Sequence, residues 1–129
     1  AWVINSCTVK DPSQAAFVRA VREGVTQGKA VVVAGCVPQA SSPQQRDALL
    51  MPGGASAVGV KQLARVGEAV EASLRGERFV AVSARGDLPE LELPKVRRNE
   101  LVEILPLSTG CLGACTYCKT RHARGKLGS

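Results

Sequence analysis

Apolar positions fall in two rhythms along the 129 residues. Short unbroken apolar runs alternate with longer stretches in which apolar side chains recur every three or four residues. The runs read as strands buried on both faces, the spaced stretches as amphipathic helices. Residues 1–5 open as a strand. Asp11-Pro12 has the character of a helix start, Ala16, Phe17, Ala20, Val21 and Val25 continue at helical spacing, and Gly28 closes the helix. The Val-rich run 30–34 reads as a second strand, and 35–44 as a loop carrying Cys36. A short helix over 45–50, ended by Pro52-Gly53-Gly54, and a strand over 57–60 follow. Leu63, Val66, Val70 and Leu74 line one face of a helix predicted over 61–75, closed by Gly76, with one further strand over 79–82.

Alternating strands and helices with short connections predict an α/β fold, a parallel sheet covered by helices, over residues 1–86. Residues 87–100 read as a linker, because two prolines and alternating charge argue for an extended connector. The apolar run 101–107 then reads as the first strand of a second unit over 101–129. Such a strand would deliver the following loop at its carboxyl end, where α/β folds place their chemistry. No internal repeat is present, and the apolar stretches are far too short to span a membrane.

Charge changes the picture at one end. Residues 1–94 carry ten Lys/Arg against nine Asp/Glu, and residues 95–129 seven against two, which together give the net +6. The cations Lys95, Arg97, Arg98, Lys119, Arg121, Arg124 and Lys126 flank the loop that holds most of the cysteines. Attraction of a polyanion is one account and a solvated basic tail the other. Aromatic residues make up 3% of the chain, so no stacking platform for single-stranded bases is legible.

The five cysteines are odd in number, and no secretory signal precedes them, so a disulfide framework is the weakest reading. Cys111, Cys115 and Cys118 form Cys-x3-Cys-x2-Cys. Three thiolates can hold three irons of a [4Fe-4S] cube and leave the fourth open to a substrate or cofactor. A zinc site completed by His122 competes with this reading, and structural thiols are a third. Cys7 and Cys36 each follow a predicted strand, at the sheet edge where open α/β folds put ligands. A lone Cys at a strand end is more often a small buried residue.

The run Ser108-Thr-Gly-Cys-Leu-Gly-Ala-Cys-Thr-Tyr-Cys-Lys-Thr-Arg-His-Ala-Arg-Gly125 resembles the radical S-adenosylmethionine loop of the tRNA methylthiotransferases. Its tail, Lys119 with His122-Ala-Arg-Gly125, is similar to the branch acting on N6-threonylcarbamoyladenosine. Asn5-Ser-Cys-Thr-Val9 and Ala34-Gly-Cys-Val-Pro-Gln-Ala40 resemble two of the three cysteine motifs of that family's N-terminal domain.

The resemblance implies an incomplete flavodoxin-like sheet followed by the beginning of a radical-SAM partial barrel. The chain would then be a fragment without the family's first cysteine, most of the barrel or the C-terminal RNA-binding domain. Cys111, Cys115 and Cys118 would bind the radical-generating [4Fe-4S] cluster, and Tyr117 would lie against the adenine of S-adenosylmethionine. Cys7 and Cys36 would hold an auxiliary [4Fe-4S] cluster that carries or donates sulfur. The implied reaction puts a methylthio group on C2 of a modified adenosine beside the tRNA anticodon, with an electron donor and a sulfur source as further partners. Reduced thiols and the lack of a targeting segment point to the cytoplasm, while eukaryotic relatives can carry a C-terminal tail anchored in the endoplasmic reticulum membrane. A catalytically inactive remnant, or a small zinc or iron-sulfur module that binds RNA, are the alternatives.

Overall fold

The computed structural model describes residues 1–8, 11–50, 54–86, 96–105 and 107–128. Strand β1 (Trp2–Ser6), helix α1 (Asp11–Thr26) and strand β2 (Val31–Gly35) come first. Helices α2 (Cys36–Ala40) and α3 (Pro43–Leu50) lead to strand β3 (Ser56–Gly59). A 3-10 segment (Val60–Arg65) then runs into helix α4 (Val66–Leu74), followed by strand β4 (Val80–Ala81) and, much later, helix α5 (Lys119–Arg124). The expected α/β class with a parallel sheet is borne out: the four strands pair in parallel in the order β1-β2-β3-β4. Four parallel strands flanked by helices are compatible with a flavodoxin-like sheet.

Strand alternation sorts the core into two layers. Val31, Val33 and Ala57 pack with Phe17 and Val21 of α1 on one face, while Val32, Ala34 and Val58 pack with Ala69 of α4 on the other. Val32, Val33 and Val58 are fully buried, each contributing on the order of 1.5–3 kcal/mol of transfer free energy. The crossovers through α1 and α4 step the same way across the sheet yet cover opposite faces, so they have opposite hands. Beyond α4's reach, Val3 on β1 stays 53% exposed.

Several local expectations are corrected. The loop predicted over 35–44 contains α2, because Gly35 takes φ 107° and turns the chain straight from β2 into a helix that begins at Cys36. Pro38 sits in its first turn, where proline is tolerated. Helix α3 starts at Pro43, two residues ahead of the predicted start. Ser42 and Gln45 cap each other's backbone N–H groups across the first turn, at 3.1 and 3.2 Å. The helix predicted over 61–75 breaks at Gln62, whose side chain is drawn off to hold the segment after β4: its Nε2 donates to the Arg85 carbonyl and its Oε1 accepts from the Ser83 N–H.

The strand predicted over 101–107 is absent among the described residues, which exclude Pro106. A strand needs a ladder, and no neighbouring strand pairs with this run. Leu101 and Ile104 stay in water, 94% and 83% exposed. Of the predicted linker, residues 87–95 lie outside the described set, and 96–100 are irregular and exposed.

Candidate metal centre

One cysteine pair stands at the carboxyl edge of the sheet, and the helix that follows the other cysteine group docks beside it. Ser6 pairs with Gly35 as the last register pair of β1 and β2, so Cys7 and Cys36 leave neighbouring strand ends side by side. Ser6 fixes that corner. Its buried hydroxyl donates to the Ala34 carbonyl at 2.7 Å and accepts from the Val37 N–H at 3.2 Å. Gly35 is required between them, because a Cβ there would lie 2.7 Å from the Ser6 carbonyl oxygen and 2.8 Å from Asn5 Oδ1. Cys36 is buried and Cys7 half-buried, and both are free thiols.

The three-cysteine loop arrives from the far end of the chain. Bridges pair Thr109 with Gly128 and Cys111 with Lys126, so the loop is tied to the segment after α5. Arg121 donates to the Cys111 carbonyl, and the Gly113 N–H donates to Cys111 Sγ at 3.3 Å. A Cβ at Gly113 would sit 3.5 Å from Cys111 Sγ and 3.9 Å from Cys115 Sγ, so that glycine leaves an open cradle between two thiols. Cys118 caps α5. The Arg121 amide, opposed by partial burial and helped by the Thr120 amide and hydroxyl and the Arg121 charge, lowers its thiol below the ordinary range.

Helix α5 docks on α2, with Ala123 buried in the contact. Lys119 lines a cleft of about 300 Å³ with Ala40 and Ser41, at the end of α2. At the other end, Arg124 Nε donates to Cys36 Sγ at 3.5 Å across 88 residues of sequence. The helices therefore run antiparallel, and the length of α5, roughly 9 Å at 1.5 Å per residue, separates Cys118 from Cys36. Residues that directly follow a cysteine line the cleft: Thr8, Val37 and Lys119. Thr8 Oγ1 is buried with no hydrogen-bond partner among the described residues. The Arg124 guanidinium is held above its ordinary range by the hydrogen bond to Cys36, the charge of that thiol and, more weakly, that of Cys7, against the opposing effect of burial.

The donor set suits an iron-sulfur group: free thiols, a glycine cradle, an orphaned buried hydroxyl and one cation to offset sulfur charge. Among the described residues no three Cys, His, Asp or Glu side chains are already arranged as a metal site. Tyr117, expected against adenine, is 86% exposed, and His122, the fourth ligand of the zinc reading, is exposed on α5. Of the basic residues, Arg97 pairs with Glu103, Arg121 and Arg124 are engaged as described, and Lys95 lies outside the described residues. Sequence reasoning took Arg124 for part of a basic surface and missed its partner. Ser6 and Thr8 carried no signal beyond their place next to Cys7.

A parallel α/β sheet with cysteines at adjacent strand ends, and a three-cysteine loop leading into a helix docked beside that edge, is the class of protein that this fold and site define. Curated relatives then make the likeness particular. The chain is 45% identical over 134 aligned residues to the mouse threonylcarbamoyladenosine tRNA methylthiotransferase, covering 99% of this chain and 22% of that protein. The human protein of the same name is 44% identical with the same coverage. A probable threonylcarbamoyladenosine tRNA methylthiotransferase of Pyrococcus horikoshii is 40% identical, covering 98% of this chain and 29% of its own length. The resemblance read from the motifs is borne out: nearly the whole chain is similar to one segment of these proteins, and it spans about a fifth of the mammalian ones. No protein-family profile matches the chain. No solved structure matches it. No helix among the described residues is long and apolar enough to cross a membrane.

Proposed function

We propose that this chain is the ligand-bearing segment of a tRNA methylthiotransferase acting on N6-threonylcarbamoyladenosine beside the anticodon. Cys111, Cys115 and Cys118 would hold one [4Fe-4S] cluster, and Cys7 and Cys36 would supply two ligands of a second. When bound, these groups supply one-electron cleavage of S-adenosylmethionine and sulfur for insertion at the unactivated C2–H of adenine. The observation that carries the reading is the docking of α5 on α2, which sets the cysteine loop on the Cys7/Cys36 edge through the Arg124 contact. The chain's own contributions are positional. Ser6 and Gly35 hold two thiols at adjacent strand ends. The cap of α5 favours the thiolate of Cys118, the form a metal binds. Lys119 adds a cation beside the cleft, suited to an anionic cofactor carboxylate or tRNA phosphate. Tyr117, Leu101 and Ile104 are exposed and open to contact with cofactor or with further protein.

Anaerobic reconstitution with iron and sulfide tests this. The expected result is a Cys115-dependent cubane, read by absorbance and EPR, whose spectrum changes on adding S-adenosylmethionine. A single bound zinc in place of iron and acid-labile sulfide would favour the small metal module. No metal at all would favour a remnant.

A further inference from the structure

The cations near the loop are not equivalent. Arg124 is half-buried, and among the described residues no carboxylate pairs with it. Its one hydrogen bond among them goes to a thiol, Cys36 Sγ at 3.5 Å, with Cys7 close enough to act on it through charge. Four of its five N–H donors have no partner among the described residues. A partly desolvated guanidinium needs Coulombic compensation, which thiolate or sulfide at this place would supply. The contact also links residues 88 positions apart, so it ties the end of α5 to the first residue of α2.

We propose that Arg124 is a positioning residue for both cysteine groups. Its guanidinium latches the three-cysteine loop onto Cys36 and offsets the negative charge of the sulfur atoms gathered at Cys7 and Cys36. The latch stands on the geometry alone; the charge role rests on the iron-sulfur reading above. Lys126, exposed and two residues along, makes no such contact among the described residues and serves as the control.

The test uses the reduced, metal-free chain, so that failure of the latch and failure of cluster assembly are read separately. In nitrogen-15 NMR spectra the Arg124 Nε–H should be visible and protected from solvent exchange. Cys36→Ala should abolish that protection and Lys126→Gln should leave it. Backbone amides of α5 should exchange about tenfold faster in Arg124→Gln and in Cys36→Ala, and no faster in the double variant, because both remove one interaction. Arg124→Lys should recover part of the protection. The Ala57 amide, bonded to the Phe79 carbonyl in the sheet, reports that the fold is intact. If Cys36→Ala does not fold, Cys36→Val, similar in size and without an acceptor, takes its place. An Nε–H indifferent to the loss of Cys36, or additive effects in the double variant, would overturn the latch. Arg124→Lys behaving like Arg124→Gln would overturn the charge role.

Discussion

Gly35→Ala separates two costs that glycines usually confound. Gly35 has φ 107° and ψ −144°, a region that residues with a Cβ hardly enter, which costs on the order of 1–3 kcal/mol. The added Cβ would also sit 2.7 Å from the Ser6 carbonyl oxygen. That oxygen is backbone, so β1 and β2 must part at their last register pair. The two effects together put the loss at about 3–4 kcal/mol, a large part of the 5–15 kcal/mol that typically holds a domain together. Gly28→Ala is the comparison, since Gly28 also has positive φ, 66°, but nothing lies within 4 Å of its Cβ position. It should cost about 1–2 kcal/mol, the left-handed penalty alone. Urea unfolding under reducing conditions, followed by far-ultraviolet circular dichroism, gives both numbers at constant m-value. If the two variants lose the same stability, crowding at the β1–β2 corner is not what makes Gly35 necessary, and the account of how Cys36 is placed fails.

Ser6→Ala should cost about 1–2 kcal/mol, because it leaves the buried Val37 N–H without its acceptor, and mass-resolved alkylation of Cys36 should speed up as the corner loosens. Ala69→Leu should destabilise by about 1–3 kcal/mol in the same unfolding assay, since Ala69 is fully buried between α4 and the sheet and has no room for a larger side chain. In the metal-free chain Cys118 should react with iodoacetamide at a lower pH than a free cysteine does. Its folded thiol is lowered by the α5 amides, so its contribution to helix stability is fully present above the unfolded value of about 8.5 and lost as pH falls through the folded value. Amide exchange in α5 measured across that range checks the sign.

The α/β class was legible because β2 is buried along its whole length and could be written only as an apolar run, while Phe17 and Val21 recur at helical spacing. The cysteine spacing was legible for a similar reason, since the residues that would share one metal group lie within eight positions. What escaped was decided by contacts distant in sequence. Gln62 leaves its helix for Ser83 and Arg85, Cys36 begins a helix because of Gly35's backbone, and Arg124 meets a thiol 88 residues away. The run 101–107 misled in the opposite sense, because an apolar segment has the pattern of a strand whether or not a neighbour is there to receive it.

Helix α5 has one further consequence. Cys118 caps one end, Arg124 occupies the other, and nothing flexible intervenes. An extra residue inserted between them would advance Arg124 by 1.5 Å and swing it about 100° around the axis, away from Cys36. Residues 119–123 should therefore accept many replacements on their exposed side but no change in their number. The count of peptide units between the last loop cysteine and its arginine acts as a ruler.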